Sequence, residues 1–254
     1  MLRTTISVIG FVLSAITLPI TARAAELKFL CAAALRPTMQ QMIPKFEQSS
    51  GYKVIISYAP VGAIATRIQN GEAADVAIVS KAQMVTLIKA RKITEKTDVG
   101  IAKVGVGVFV RKGAPKPDIS STDAFKNTLL TAKAVAFNNP QTGGPVGAYL
   151  ASLLQHLGIA EQMKSKIILT ASGIAGTAEA LSKGNAEIGF SQMIDIAPDV
   201  ELVGPLPQPI QHYTLFWAGV AANTKERDGS NALLTFITSP QLRAALKAKG
   251  FEPG

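Results

Sequence analysis

Short apolar runs alternate with amphipathic segments along the chain that follows residue 25. The apolar runs predict buried strands, and the segments between them carry apolar residues at helical spacing. In one such segment Met39, Met42, Ile43 and Phe46 share a helix face. The first predicted strands are Leu27–Ala33, Val54–Tyr58 and Val76–Ser80, and the first predicted helices are Pro37–Gln48, Ala63–Asn70 and Ala82–Ala90. This β-α order predicts a parallel sheet with helices on its faces.

A second β-α series follows the strand predicted for Val104–Val110. Its predicted strands are Val135–Phe137, Ile167–Leu169 and Ile188–Phe190, and its predicted helices are Thr122–Leu130, Pro145–Leu157 and Gly176–Lys183. A Pro-rich stretch at 204–209 precedes a strand at His212–Val220, and the predicted helices Gly229–Ile237 and Pro240–Lys249 close the chain.

The strands near 104–111 and 211–220 are natural crossovers between the two series. The pattern therefore predicts an α/β fold of two lobes joined by crossover strands, with a ligand cleft between the lobes. We expect lobe 1 to comprise residues 25–104 and 215–254, and lobe 2 to comprise residues 105–214, including the crossover strands.

Residues 1–24 have the pattern of a signal peptide. Arg3 precedes an apolar run from Ile6 to Ile20, and the segment closes on Ala22-Arg23-Ala24, the small-x-small pattern of a cleavage site. The run is shorter than the roughly 18 to 20 residues of a membrane-spanning helix, which disfavours the alternative of an uncleaved anchor. We therefore expect a periplasmic protein, not embedded in the membrane, that is cleaved after Ala24.

Composition excludes several classes of chemistry. Hydrophobic residues are 48% and charged residues 17%, which excludes intrinsic disorder. One cysteine cannot form an internal disulfide, and two histidines leave almost no material for a metal site, a Cys/His nucleophile or a Ser/His/Asp triad. Buried Cys31 on the first strand is expected to be a small apolar residue. No metal and no cofactor is expected.

The charge favours an anionic ligand. The net charge is +9, and it becomes +7 without Arg3 and Arg23, because residues 1–24 contain no acid. Arg36 follows the first predicted strand, Arg67 lies on the helix after Val61-Gly62, and Lys81 ends the third strand. The carboxyl ends of strands are where open α/β sheets bind ligands. Nucleic acid is disfavoured, because aromatic residues are 6% and no basic stripe is interleaved with them.

Glycines mark three helix starts that could bind anions through backbone amides. They are Val61-Gly62-Ala63, Gly143-Gly144-Pro145 and Gly173-Ile174-Ala175-Gly176. Amides at a helix N-terminus are unsatisfied donors at the positive end of the dipole. Each could also be an ordinary turn, so a single one does not indicate an anion site, and only the presence of three together favours one. None is a phosphate loop, and the Gly105-x-Gly107 spacing within a strand indicates close packing.

Five segments resemble the periplasmic molybdate-binding proteins of ABC importers. They are LKFLCAAALRPTMQ at 27–40, GEAADVAI at 71–78, VGAYL at 146–150, AEIGF at 186–190 and TFITSPQ at 235–241. The resemblance implies a two-lobed periplasmic-binding-protein fold, a small anionic ligand in the cleft, and an ABC importer permease as a partner.

The resemblance also maps the family's oxyanion site onto this chain. The family uses two serines, two backbone amides and a tyrosine, and the matching positions here are Ala34, Val61, Val146, Ile174 and Gln192. Both serine hydroxyls and the phenol are absent, and each charge-assisted bond is worth roughly 1.5–3 kcal/mol. The substitutions favour an organic polycarboxylate over molybdate, held also by Arg36, Arg67, Gly62 and Gly144.

The chain also resembles the periplasmic aconitate isomerases, which have the same fold and interconvert cis- and trans-aconitate. This implies an alternative function, a cofactor-free allylic proton shift, which needs a base and donors for the developing charge. Lys81 and Tyr58 are the candidate catalytic residues, since both titrate and both are expected near the cleft.

Overall fold

The computed structural model describes residues 25–142, 144–171, 173–195 and 197–254. The expected signal peptide and Gly143 of the predicted helix start lie outside the described residues.

The first lobe is a sheet with helices on both faces. Its strands run in the order β2-β1-β3-β9-β4, in which β1, β2 and β3 are parallel and β9 is antiparallel to β3 and β4. The strands are β1 (Glu26–Ala32), β2 (Lys53–Ala59), β3 (Val76–Ser80), β4 (Val99–Arg111) and β9 (Tyr213–Val220). The helices are α1 (Arg36–Ser50), α2 (Val61–Gln69), α3 (Lys81–Lys89), α8 (Arg227–Ile237) and α9 (Pro240–Ala248).

The second lobe repeats this design with a shorter sheet. Its strands are β5 (Val135–Asn138), β6 (Ile167–Thr170), β7 (Ile188–Gln192) and β8 (Val200–Pro205), and its helices are α4 (Thr122–Thr131), α5 (Pro145–His156), α6 (Ala160–Met163) and α7 (Gly173–Ser182). Strand β5 lies between β6 and β7, parallel to both, and β4 pairs antiparallel with β7 and β8. The short β10 (Glu252–Pro253) pairs with β4 at the end of the chain.

Strand β4 belongs to both lobes. Its first half pairs with β9 and contributes Ile101 and Val104 to the core under α1, α8 and α9. Its second half pairs with β7 and β8 and contributes Val106 and Val108 to the core under α4 and α5. This shared strand confirms the two-lobed α/β fold, while the expected boundaries at 104/105 and 214/215 stay a prediction.

The glycines of β4 lie at close approaches, as their spacing indicated. A Cβ at Gly105 would be 2.9 Å from Gln211 Nε2, and a Cβ at Gly107 would be 2.8 Å from a methyl carbon of Leu202. The Gln211 side chain bonds both polar groups of Val106, accepting from its N–H and donating to its carbonyl, each at 3.1 Å. The two crossovers are thereby tied together beside the cleft.

Candidate functional site

A cavity of about 500 Å³ lies between the two lobes. The carboxyl ends of β1, β2, β5 and β7 and the starts of α1, α2, α5 and α7 line it, and the carboxyl ends of strands are where open α/β sheets bind ligands. The lining residues are Ala32, Ala33, Ala34, Arg36, Tyr58, Ala59, Pro60, Val61, Asn138, Thr142, Gly144, Pro145, Val146, Ala171, Ile174, Ser191, Gln192, Asp195 and Phe216.

Most of the residues expected at the ligand line this cavity. They are Ala34, Arg36, Tyr58, Val61, Gly144, Val146, Ile174 and Gln192. The first four come from lobe 1 and the others from lobe 2, so a ligand in the cavity would contact both lobes. Their roles in binding stay a prediction.

Three expected site residues do not line the cavity: Gly62, Arg67 and Lys81. Gly62 lies one residue beyond Val61 in α2, and its carbonyl accepts from the Thr66 hydroxyl at 3.1 Å. Arg67 lies in the last turn of α2, about 9 Å along the axis from its start. Its guanidinium pairs with the Glu72 carboxylate and donates to the Ser57 hydroxyl.

Lys81 lies on the other side of the sheet from the cavity-lining Phe216. Its ammonium nitrogen is 4.9 Å from the centroid of the Trp217 ring. Successive side chains of a strand point to opposite faces, so Trp217 and the lysine above it face away from Phe216. Position at a strand end therefore does not bring Lys81 to the lining of this cavity, and its role stays a prediction.

Arg36 and Tyr58 form the cationic side of the cavity. The guanidinium carbon of Arg36 is 4.7 Å from the centroid of the Tyr58 ring. The Tyr58 hydroxyl is buried, and no described residue bonds it. Burial raises the pKa of Tyr58 to about 12, the neighbouring Cys31 adds to the rise, and Arg36 opposes it.

Cys31 lies beside Tyr58 in the register of β1 and β2. The thiol is buried, and it donates weakly to the Ala32 carbonyl at 3.6 Å. Burial raises the pKa of Cys31 far above its usual range. The side chain therefore stays a neutral thiol, which is far less reactive than a thiolate. Its role as a small apolar core residue is confirmed.

The helix starts at the cavity present backbone amides. Neither Pro60 before α2 nor Gly144 before α5 caps its helix with a side chain. At α5 the Asn138 Oδ1 accepts from the Gly147 amide at 3.1 Å. A Cβ at Gly144 would lie 2.2 Å from Asn138 Nδ2, so glycine lets this amide approach the helix start. Unsatisfied amides at these starts favour an anion in the cavity.

Asp195 is a cavity residue that sequence reasoning missed. Its Oδ2 accepts from the Ser191 hydroxyl and from the Gln192 amide, the latter at 3.2 Å. Burial raises the pKa of Asp195, while these two hydrogen bonds oppose the rise. The sequence signal that could have indicated it is Ser191-Gln192 at the end of a predicted strand, followed by an acidic residue three positions after Gln192.

A larger cavity of about 670 Å³ lies on lobe 2, lined by residues that include Arg111, Asp118 and Glu187. None of the expected site residues contributes to it. Within the described ranges, no three His, Cys, Asp or Glu side chains come together as metal ligands would. No helix in the same part of the chain is long and apolar enough to cross a membrane.

The chain is similar to curated proteins over most of its length. It is 27% identical over 235 residues to aconitate isomerase of Pseudomonas sp, covering 89% of this chain and 87% of the relative. It is 29% identical over 240 residues to the molybdate-binding protein ModA of Azotobacter vinelandii, covering 91% of each chain. The two resemblances read from the sequence are thus confirmed.

Solved structures show the same fold. The sulfate-binding protein SubI of Mycobacterium tuberculosis superposes with a TM-score of 0.72 at 19% identity, covering 90% of this chain and 87% of that one. The periplasmic molybdate-binding protein of Azotobacter vinelandii superposes with a TM-score of 0.69 at 20% identity, covering 89% and 98%. The model of the bacterial extracellular solute-binding proteins matches residues 27–252, and the chain belongs to that family.

Proposed function

We propose that the protein binds a small organic polycarboxylate in the cavity between its lobes, as a periplasmic solute-binding protein. The observation that carries this proposal is the donor set of the cavity. Arg36, Tyr58, whose buried hydroxyl no described residue bonds, and the starts of α2 and α5 all border one space. A guanidinium suits a carboxylate because it can donate two parallel hydrogen bonds to it.

The size of the cavity supports an organic ligand. Its volume of about 500 Å³ lies within the range of roughly 300–1,000 Å³ of small-molecule sites. Apolar side chains lie among the donors, including Ala34, Val61 and Ile174. An organic acid would offer carbon atoms to these side chains, whereas a bare tetrahedral oxyanion would leave them without partners.

Family membership supports a transport partner. Solute-binding proteins of this fold deliver their ligands to a membrane permease, and we extend this role to an ABC importer that recognises the closed, ligand-bound lobes. Export with cleavage after Ala24 belongs to the same proposal, and N-terminal sequencing of the secreted protein should begin at Ala25.

A thermal-shift panel on residues 25–254 tests the ligand class. The panel comprises citrate, tricarballylate, succinate, molybdate and sulfate. A polycarboxylate at 100 times its Kd should add about 2.7 kcal/mol to the free energy of unfolding. Stabilisation by molybdate or sulfate, with none by the polycarboxylates, would contradict the proposed ligand class.

A second candidate function is the isomerisation of aconitate. Two observations favour it: the similarity to the Pseudomonas aconitate isomerase, and a carboxyl group, Asp195, in the same cavity as Arg36. An allylic proton shift needs a base beside an acidic methylene and a cation or donor for the developing charge.

A proton NMR time course with cis-aconitate tests this activity. Growth of the vinyl signal of trans-aconitate above a protein-free control would establish isomerisation. Stabilisation by aconitate without conversion would leave a binding protein and exclude the isomerase for this substrate.

A further inference from the structure

The Asp195 carboxylate is held through one oxygen. Oδ2 accepts from the Ser191 hydroxyl and the Gln192 amide, and both donors lie at the end of β7. Oδ1 has no hydrogen-bond partner within the described part of the chain. Because Asp195 lines the cavity between the lobes, its carboxylate is placed to contact a group bound there.

The segment that carries Asp195 is held against lobe 1. Met193 and Ile194 pack on the core of lobe 1, and the Met193 amide donates to the Gly105 carbonyl at 3.0 Å. The carboxylate therefore sits on a backbone that both lobes position. A reactive group needs this kind of fixed placement relative to its substrate.

We propose that Asp195 is the general base that moves the allylic proton of aconitate. The inference rests on the isomerase activity proposed above. Asp195 Oδ1 takes a proton from the methylene carbon of cis-aconitate, and the C–H electron pair forms a new double bond to the central carbon. The electrons of the original double bond pass to its far carbon, which receives a proton from the Asp195 carboxyl. The product is trans-aconitate, and the aspartate returns to its ionised form.

The other titratable groups of the cavity are less suited to this step. The described cavity-lining residues that titrate are Arg36 on α1, Tyr58 on β2 and Asp195. A guanidinium stays protonated, and a phenol whose pKa is raised to about 12 has almost no basic form at neutral pH. Burial moves the pKa of Asp195 upward, toward neutral pH, where a carboxylate becomes a stronger base.

Arg36 has the complementary role. Removal of the proton spreads negative charge into the carboxylates of the substrate, and a guanidinium in the same cavity stabilises that charge. No charged side chain contributes to the shifted pKa of Asp195; burial, Ser191 and the Gln192 amide account for it. Base and cation therefore act on the ligand without neutralising each other.

The test compares wild type, Asp195→Asn and Asp118→Asn in D2O with cis-aconitate. Asp118 is a matched control, because its carboxylate also accepts from a nearby amide, that of Ser120, but lies outside the interlobe cavity. Conversion and deuterium incorporation at the methylene are followed by NMR. Binding is followed separately by the thermal shift with tricarballylate, which has no double bond to move.

We expect Asp195→Asn to keep the tricarballylate shift and to lose about a hundredfold or more of conversion and exchange, while Asp118→Asn matches wild type. Conversion by Asp195→Asn at the wild-type rate would overturn the assignment and leave the isomerase intact. If wild type binds tricarballylate but neither converts cis-aconitate nor exchanges its methylene protons, the assignment is overturned and the binding function stands. Wild type that neither binds nor converts would overturn both.

A wild-type measurement covers the case in which Asp195→Asn does not fold. The rate of conversion should rise with pH through the raised pKa of Asp195, because the base acts in its ionised form. Asp195→Glu, which keeps the carboxyl group but displaces it, should retain that pH dependence at a reduced rate. A wild-type rate that is flat from pH 4 to 8 would overturn the proposal.

Discussion

The guanidinium carbon of Arg36 lies 4.7 Å from the centroid of the Tyr58 ring, at the side of the cavity formed by lobe 1. The aromatic face attracts the cation and holds it at the cavity. Arg67 differs in this respect, since its charge is engaged by Glu72. Of these two arginines, Arg36 is the one that lines the cavity, where an anionic ligand would meet its charge.

Arg36→Gln should weaken tricarballylate binding about 10- to 150-fold. The reason is the loss of one charge-assisted hydrogen bond, worth roughly 1.5–3 kcal/mol. Isothermal titration calorimetry measures the change. Arg243→Gln is the control, because Arg243 is an exposed residue of α9 that donates to the Thr238 carbonyl away from the cavity. Equal losses in the two variants would contradict the placement of the ligand.

Tyr58→Phe should leave the unliganded protein as stable as wild type, or more stable by about 1 kcal/mol. The variant removes a buried hydroxyl that no described residue bonds. Tyr149→Phe is the contrasting control, because the Tyr149 hydroxyl donates to the Ile210 carbonyl at 2.6 Å and its removal should cost about 1 kcal/mol. Urea denaturation separates the two cases.

The same Tyr58→Phe variant should bind tricarballylate more weakly than wild type, because the hydroxyl bonds a ligand oxygen in the bound state. Unchanged affinity in this variant would mean that the hydroxyl does not reach the ligand.

Lys81→Ala should retain ligand affinity and any conversion of aconitate within about twofold. The Lys81 ammonium lies over the Trp217 ring and not at the cavity, so its removal costs only a surface contact of roughly 0.5–1 kcal/mol. A hundredfold loss of conversion in this variant, with its fold intact, would restore Lys81 as the candidate base.

Asp195 should make stability fall as pH rises above the usual range of an aspartate. The native state raises the pKa of this group, so between the ordinary pKa of about 3.9 and the raised value the native state binds more protons than the unfolded state. The free energy of unfolding of wild type, relative to Asp195→Asn, should therefore decrease through that window and then stay constant. Urea denaturation from pH 3 to 8 measures the difference, and a difference that increases with pH would contradict the burial of the carboxyl.

The order and type of the main elements could be predicted from periodicity, because each buried strand is an apolar run and each helix has one apolar face. Strand β8 was missed because Glu201 and Gly204-Pro205 interrupt its apolar pattern. Strand β4 begins earlier than expected, at Val99, because Gly100 and Lys103 break the apolar run although the backbone still pairs with β9.

The site could be predicted in part. Positions that contribute through the backbone at helix starts follow from local sequence, and the resemblance supplied Ala34 and Gln192. Arg67 and Lys81 lie outside the lining of this cavity, because nearness to a strand in sequence does not determine which face a side chain takes; their roles in binding stay a prediction. Asp195 was missed because its burial depends on packing of residues 193 and 194 against the other lobe, a contact distant in sequence.

Calorimetric titration of residues 25–254 with tricarballylate and with molybdate tests the ligand class most directly. Tricarballylate reports on binding alone, because it cannot undergo the allylic shift. We predict saturable binding of tricarballylate at one site per chain, weakened about 10- to 150-fold by Arg36→Gln, and molybdate binding at least about tenfold weaker than tricarballylate binding. Molybdate bound more tightly than tricarballylate, and unaffected by Arg36→Gln, would contradict the account.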